Sequence, residues 1–69
     1  MDKYEKRRLA LRALVDSLGK GGISRVANAI GKEPNYLSRA LYPAGREGRK
    51  RIGEDTVDVL NEKFPNWLD

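Results

Sequence analysis

Between Ile23 and Leu41 an apolar pattern of helical spacing stops at Gly31 and restarts at Pro34. In the first run Ile23, Val26, Ala27 and Ile30 share one face, with Ser24, Arg25, Asn28 and Ala29 largely on the other. In the second, Leu37, Ala40 and Leu41 form the apolar side, and Asn35, Ser38 and Arg39 point elsewhere. Gly31 breaks the first period. Pro34 suits the first turn of a new helix, because the N–H it lacks would have no intrahelical partner there. The pattern predicts two short helices, over about 23–30 and 34–41, joined by a tight turn. Ser24 or Gly22 is expected to cap the first.

The flanks fit the same class. Leu11, Leu14, Val15 and Leu18 recur at helical spacing, and Arg7, Arg8, Arg12 and Asp16 are assigned to the remaining surface of a helix over about 2–18, stopped by Gly19. Residues 42–51, YPAGREGRKR, hold Pro43, Gly45 and Gly48 and no apolar period, so they read as a loop. Ile52, Val57, Leu60 and Phe64 fit a last helix over about 53–63, with Glu54 and Asp55 where the helix dipole favours acids. Pro65 ends it, and Trp67 is placed to fold back over the core. No strand is evident. The expectation is an all-α chain, a compact bundle of four to five short helices in one domain, 1–69.

A chain of 69 residues buries only roughly 60% of the surface its unfolded form exposes, enough for one core. It has no Cys and no His, which removes disulfides, zinc fingers, thiolate and Ser-His chemistry and most transition-metal sites. No apolar run approaches the roughly 20 residues that span a bilayer. MDKYEKRRLA has no apolar segment of signal-peptide type, so a cytoplasmic setting is expected.

The net charge of +4 is unevenly placed: residues 1–19 carry +2, residues 20–51 carry +6 and residues 52–69 carry −4. A basic middle beside an acidic end suits one positive face and a polyanionic partner. Glu54, Asp55, Asp58 and Glu62 read as a solvated helix face rather than a paired acid and base, so no enzyme activity is expected. Gly45 and Gly48 lack the phosphate-loop pattern. No cofactor, metal or small-molecule substrate is expected.

Two short helices around a tight turn have a physical logic of their own. A small residue such as Ala27 permits close approach where the helices cross, Gly31 tolerates a left-handed turn, and Ile30 and Leu37 lock the pair. The second helix then exposes its first turn and one side, and an α-helix has the width to enter a DNA major groove.

On these residues the stretch ISRVANAIGKEPNYLSRAL, 23–41, resembles the helix-turn-helix of the phage repressor and Cro family, also grouped as Xre-like regulators. Ala27, Gly31, Leu37 and Ser38 stand where that family has its small crossing residue, turn glycine, buried aliphatic and frequent Ser. GRKRIGEDTVDVLNEKFPNWLD is similar to the end of the DNA-binding domain of CI-like prophage repressors. The resemblance covers about residues 9–69 and implies a lambda-repressor-like fold. Ala40 departs from it, standing where a larger apolar residue or Trp is common, so Leu41 and Tyr42 are expected to close that part of the core. The family's self-cleaving peptidase and dimerisation half has no counterpart in these residues.

The resemblance implies a transcriptional regulator, a phage or prophage repressor that binds double-stranded operator DNA, commonly as a homodimer on palindromic half-sites, in a bacterial or phage-infected cell. Carried to this sequence, Glu33, Pro34, Asn35, Ser38 and Arg39 are the base-reading candidates. Arg39 is the foremost, since its fork can bridge guanine O6 and N7; Asn35 suits an adenine edge, a phosphate or a helix cap. Arg25, Lys32, Arg46, Arg49, Lys50 and Arg51 are the phosphate candidates. Tyr36 is left open between the core and the sugar-phosphate backbone. The tail of Phe64, Trp67 and Leu68 is left open between sealing the core and a weak dimer surface. An alternative class is a helix-turn-helix protein-interaction or antitoxin-like module with DNA binding secondary.

Overall fold

The computed structural model describes residues 1–69 and contains four helices: α1 (Lys3–Ser17), α2 (Gly22–Ile30), α3 (Pro34–Ala40) and α4 (Glu54–Lys63). There is no strand. The chain is therefore all-α, and the helix limits fall within a residue of those the apolar periods predict. Residues 65–68 form a turn rather than a fifth helix.

α2 is the hub. α1, α3 and α4 each pack against it, and Val26 and Ala27 at its centre are wholly buried. The core around them is built of Leu11 and Val15 from α1, Leu37, Ala40 and Leu41 at α3, Ile52 before α4, Val57 and Leu60 within it, and Trp67 from the tail. The small Ala40 is matched by buried Leu41 beside it. Trp67 folds back as expected, its indole Nε1 donating to Asn61 Oδ1 at 2.7 Å, which satisfies a donor that burial takes from water. The radius of gyration, 10.9 Å, is the roughly 11 Å expected for a single packed body of this length.

Two local features correct the sequence reading. Neither Ser24 nor Gly22 caps α2: the N-cap is Gly21, and Gly22 is the first helical residue. A Cβ on Gly22 would collide with the Val15 carbonyl oxygen, so the missing side chain is what lets α2 start against α1. Arg7, assigned to the surface, is buried. It lies one turn before Leu11 and two before Val15 on the same stripe. Its Nη1 donates to the Ile52 carbonyl at 2.7 Å and its Nη2 to Glu54 Oε1 at 2.8 Å, so one side chain ties α1 to the entry of α4. Asp2 caps α1 by accepting from the Glu5 N–H at 2.8 Å.

No helix is long and apolar enough to cross a membrane.

Candidate nucleic-acid interface

The turn between α2 and α3 owes its shape to Gly31. With φ at +71° it lets the chain reverse, and the Lys32 N–H reaches back to the Ala27 carbonyl at 2.9 Å, closing the end of α2. Glu33 is the extended N-cap residue and Pro34 follows in the first turn of α3. Asn35 is therefore inside the helix and does not cap it. Ala27 and Leu37 are both fully buried, and Ile30 nearly so, which fixes α3 against α2 through the residues the sequence assigns to that seam.

With Leu37 and Ala40 turned inward, the opposite side of α3 carries Pro34, Asn35, Ser38 and Arg39 at one-turn spacing. Glu33, Pro34 and Asn35 are exposed, while Ser38 and Arg39 are half-buried. Tyr36 is half-buried against the core, with its hydroxyl 3.4 Å from Thr56 Oγ1 on α4. The Lys32 ammonium sits 5.2 Å from its ring centre. Of the two readings left open for Tyr36, the structure has the core one.

The basic loop, 42–51, is fastened to the C-terminal end of α3 by Arg39. Its carbonyl accepts from the Tyr42 and Lys50 amides at 3.2 and 3.1 Å, and its Nε donates to the Gly48 carbonyl at 2.6 Å. The six phosphate candidates are not equivalent. Arg25, Lys32, Arg46, Lys50 and Arg51 are exposed. Arg46 stacks on Tyr42, 3.7 Å from the ring centre, Arg51 lies 4.9 Å from that of Tyr4, and Arg25 Nη1 is 3.4 Å from the Leu18 carbonyl. Arg49 instead turns inward: only 15% of its side chain is exposed, Nη2 lies 3.7 Å from Glu5 Oε1, and Nε is buried without a partner. Its nearest role is packing the loop against α1.

Two carboxylates are held below the usual carboxylate range. Glu54 is held down chiefly by its bond from Arg7, with the Arg7 charge and Lys3 adding to it, and Glu5 chiefly by its bond from Arg8. Arg8 Nε and Nη2 grip the two Glu5 oxygens at 2.8 and 2.6 Å. These acids neutralise cations at the α1 end of the loop. No such pairing is found for Lys32, Arg46 or Lys50.

Beside the turn, Ile30, Gly31, Lys32, Asp55, Thr56 and Val59 line a pocket of about 230 Å³. That is smaller than the roughly 300–1,000 Å³ of small-molecule sites.

What the sequence missed here is Gly48. As a glycine in a loop it carried only a turn signal, and nothing in spacing tied it to Arg39 nine residues earlier.

No family model, curated protein or solved structure matches the chain.

Proposed function

We propose that this chain binds double-stranded DNA in a sequence-specific way, with α3 in the major groove, and acts as a transcriptional regulator of the phage or prophage repressor kind. The observation that carries the reading is the division of labour along α2, the turn and α3. Ala27 and Leu37 are spent wholly on the seam between the helices, while Glu33, Pro34 and Asn35 stand exposed at the start of the second. A helix presented by its first turn is the arrangement that places side chains against base edges.

Charge supports the same reading. Lys32 stands at the start of α3, and Arg46 and Lys50 lie in the loop fastened to its far end, all three exposed. Cations at both ends of a groove-sized helix suit the two phosphate backbones that border a groove, where they set register while α3 reads sequence. Arg49 is left out of that set by its position against Glu5. The reading includes a homodimer on palindromic half-sites, since one such helix spans few base pairs, and a cytoplasmic setting.

The test is amide chemical-shift mapping of the labelled chain on addition of duplex DNA. The reading expects the largest changes in 32–39 and 46–51 and none on the outer side of α4 at Asp58 and Glu62. Changes centred on α4, or none at all with duplex DNA, would contradict the reading.

A further inference from the structure

Arg39 is the one base-reading candidate whose side chain is already engaged within the protein. Its Nε donates to the Gly48 carbonyl at 2.6 Å, and its own carbonyl accepts the Lys50 amide at 3.1 Å, so loop and helix hold each other at both ends of one residue. Nη1 and Nη2 make no hydrogen bond within the protein, and neither is a buried, partnerless atom, so both reach solvent. A guanidinium has two edges that can bridge guanine O6 and N7, one using Nε with an Nη and one using both Nη atoms. The bond to Gly48 occupies the first.

We propose that Gly48 is a specificity-determining residue that touches no base: by taking Arg39 Nε it fixes the guanidinium plane and leaves the Nη1–Nη2 edge to read guanine end-on. This inference rests on the DNA-binding reading above and deepens it. Gly48 can do this because its φ is +87°, a conformation that side chains of L residues rarely adopt. Space is not the constraint. A Cβ there would lie 3.5 Å from Arg39 Nε, 3.6 Å from Nη2 and 3.6 Å from Tyr42 Cε2, all ordinary contacts. Gly48→Ala therefore acts through the backbone, by moving the carbonyl that holds Arg39. The same loop carries Arg46 on the Tyr42 ring, so the plane of the reading arginine and the position of one phosphate-seeking arginine are set together.

The experiment is a double-mutant cycle on sequence discrimination. A preferred duplex is selected from random sequences with the wild-type chain. Affinities for it and for its single-base-pair variants are then measured for wild type, Arg39→Ala, Gly48→Ala and the double variant, with helicity checked for each. Arg39→Ala is expected to relax one G·C position by about tenfold, within the range a bidentate contact supplies. Gly48→Ala is expected to relax the same position by a similar factor, the double variant no further, and Gly48→Asn, which tolerates positive φ better, to retain most of the preference. Full discrimination at that position in Gly48→Ala, or independent effects in the double variant, overturns the inference alone. The absence of any preferred duplex overturns the DNA reading and this inference with it. A readout that needs no variant is exchange of the Arg39 Nε proton. It is expected to be slow both free and on DNA, and exchange as fast as that of the exposed arginines would overturn the proposal.

Discussion

The guanidinium of Arg7 lies buried on the carbonyl of Ile52, 2.7 Å away and 45 residues later in the chain. The same fork reaches Glu54 Oε1 at 2.8 Å, in the first turn of α4. An arginine so placed satisfies a buried carbonyl and ties α1 to the entry of α4, where Glu54 offsets its charge. Arg7→Ala leaves the Ile52 oxygen without its donor, and unfolding by urea is expected to show a loss of about 1–3 kcal/mol. Arg7→Met, which keeps much of the stem, is expected to lose nearly as much if the hydrogen bonds dominate over packing.

Glu54 and Glu5 are the carboxylates on which an acid-side loss of stability is expected to depend. Both are held below the usual carboxylate range by arginine partners, so the folded chain keeps them ionised to lower pH than the unfolded chain does. Their stabilisation is present above the ordinary carboxylate pKa near 4.5 and is lost as pH falls through the lowered folded values. Thermal melts are expected to be flat from pH 7 to about pH 5 and to fall below that. Glu54→Gln should lower the midpoint at neutral pH and shrink the acid-side fall. A fall of unchanged size in that variant would place the acid sensitivity elsewhere.

Gly22 and Gly31 are needed for different reasons, and substitution separates them. Gly22→Ala drives a methyl group into the Val15 carbonyl oxygen, which forces α1 and α2 apart, and overpacking of that kind costs about 1–3 kcal/mol. At Gly31 nothing lies within 4 Å, and the cost of Ala, about 1–2 kcal/mol, comes from φ at +71°. Asn at 31 should recover part of that loss, whereas no residue with a Cβ should recover the loss at 22. Denaturant midpoints of the Ala and Asn variants at each of the two positions check both statements.

The apolar periods made the helices legible because burial alone decides them: Leu11, Val15, Val26, Ala27, Leu37 and Leu60 are core residues at the spacings their helices impose. The motif residues Ala27, Ile30 and Leu37 were legible for the same reason, and Gly31 because the break in the period calls for a residue that tolerates positive φ. Arg7 was not, because charge type suggested solvent although its spacing matched the Leu11 stripe. The loop was legible only as a loop. Its contacts from Gly48 and Lys50 to Arg39, and from Arg49 to Glu5, join residues distant in sequence through backbone carbonyls and flexible side chains, and no periodicity encodes such partners. Tyr36 needed the position of Thr56, twenty residues on, to be assigned.

Lys50 is exposed and its side chain has no acid partner. Removing it as Lys50→Ala is expected to weaken binding to preferred and unrelated duplexes by similar factors and to reduce the slope of log affinity against log salt by about one unit. Arg49→Ala should leave that slope nearly unchanged and lower thermal stability instead, because Arg49 lies against Glu5. Affinities measured across a salt series for both variants distinguish a phosphate contact from a packing residue.

The most direct measurement is the affinity of the wild-type chain for its selected duplex relative to a scrambled duplex of equal length and composition, at one fixed near-physiological salt concentration. Sequence reading by α3 predicts a preference of roughly a thousandfold or more for an assembled dimer site. Equal affinity for the two duplexes, or no binding to either, would contradict the account.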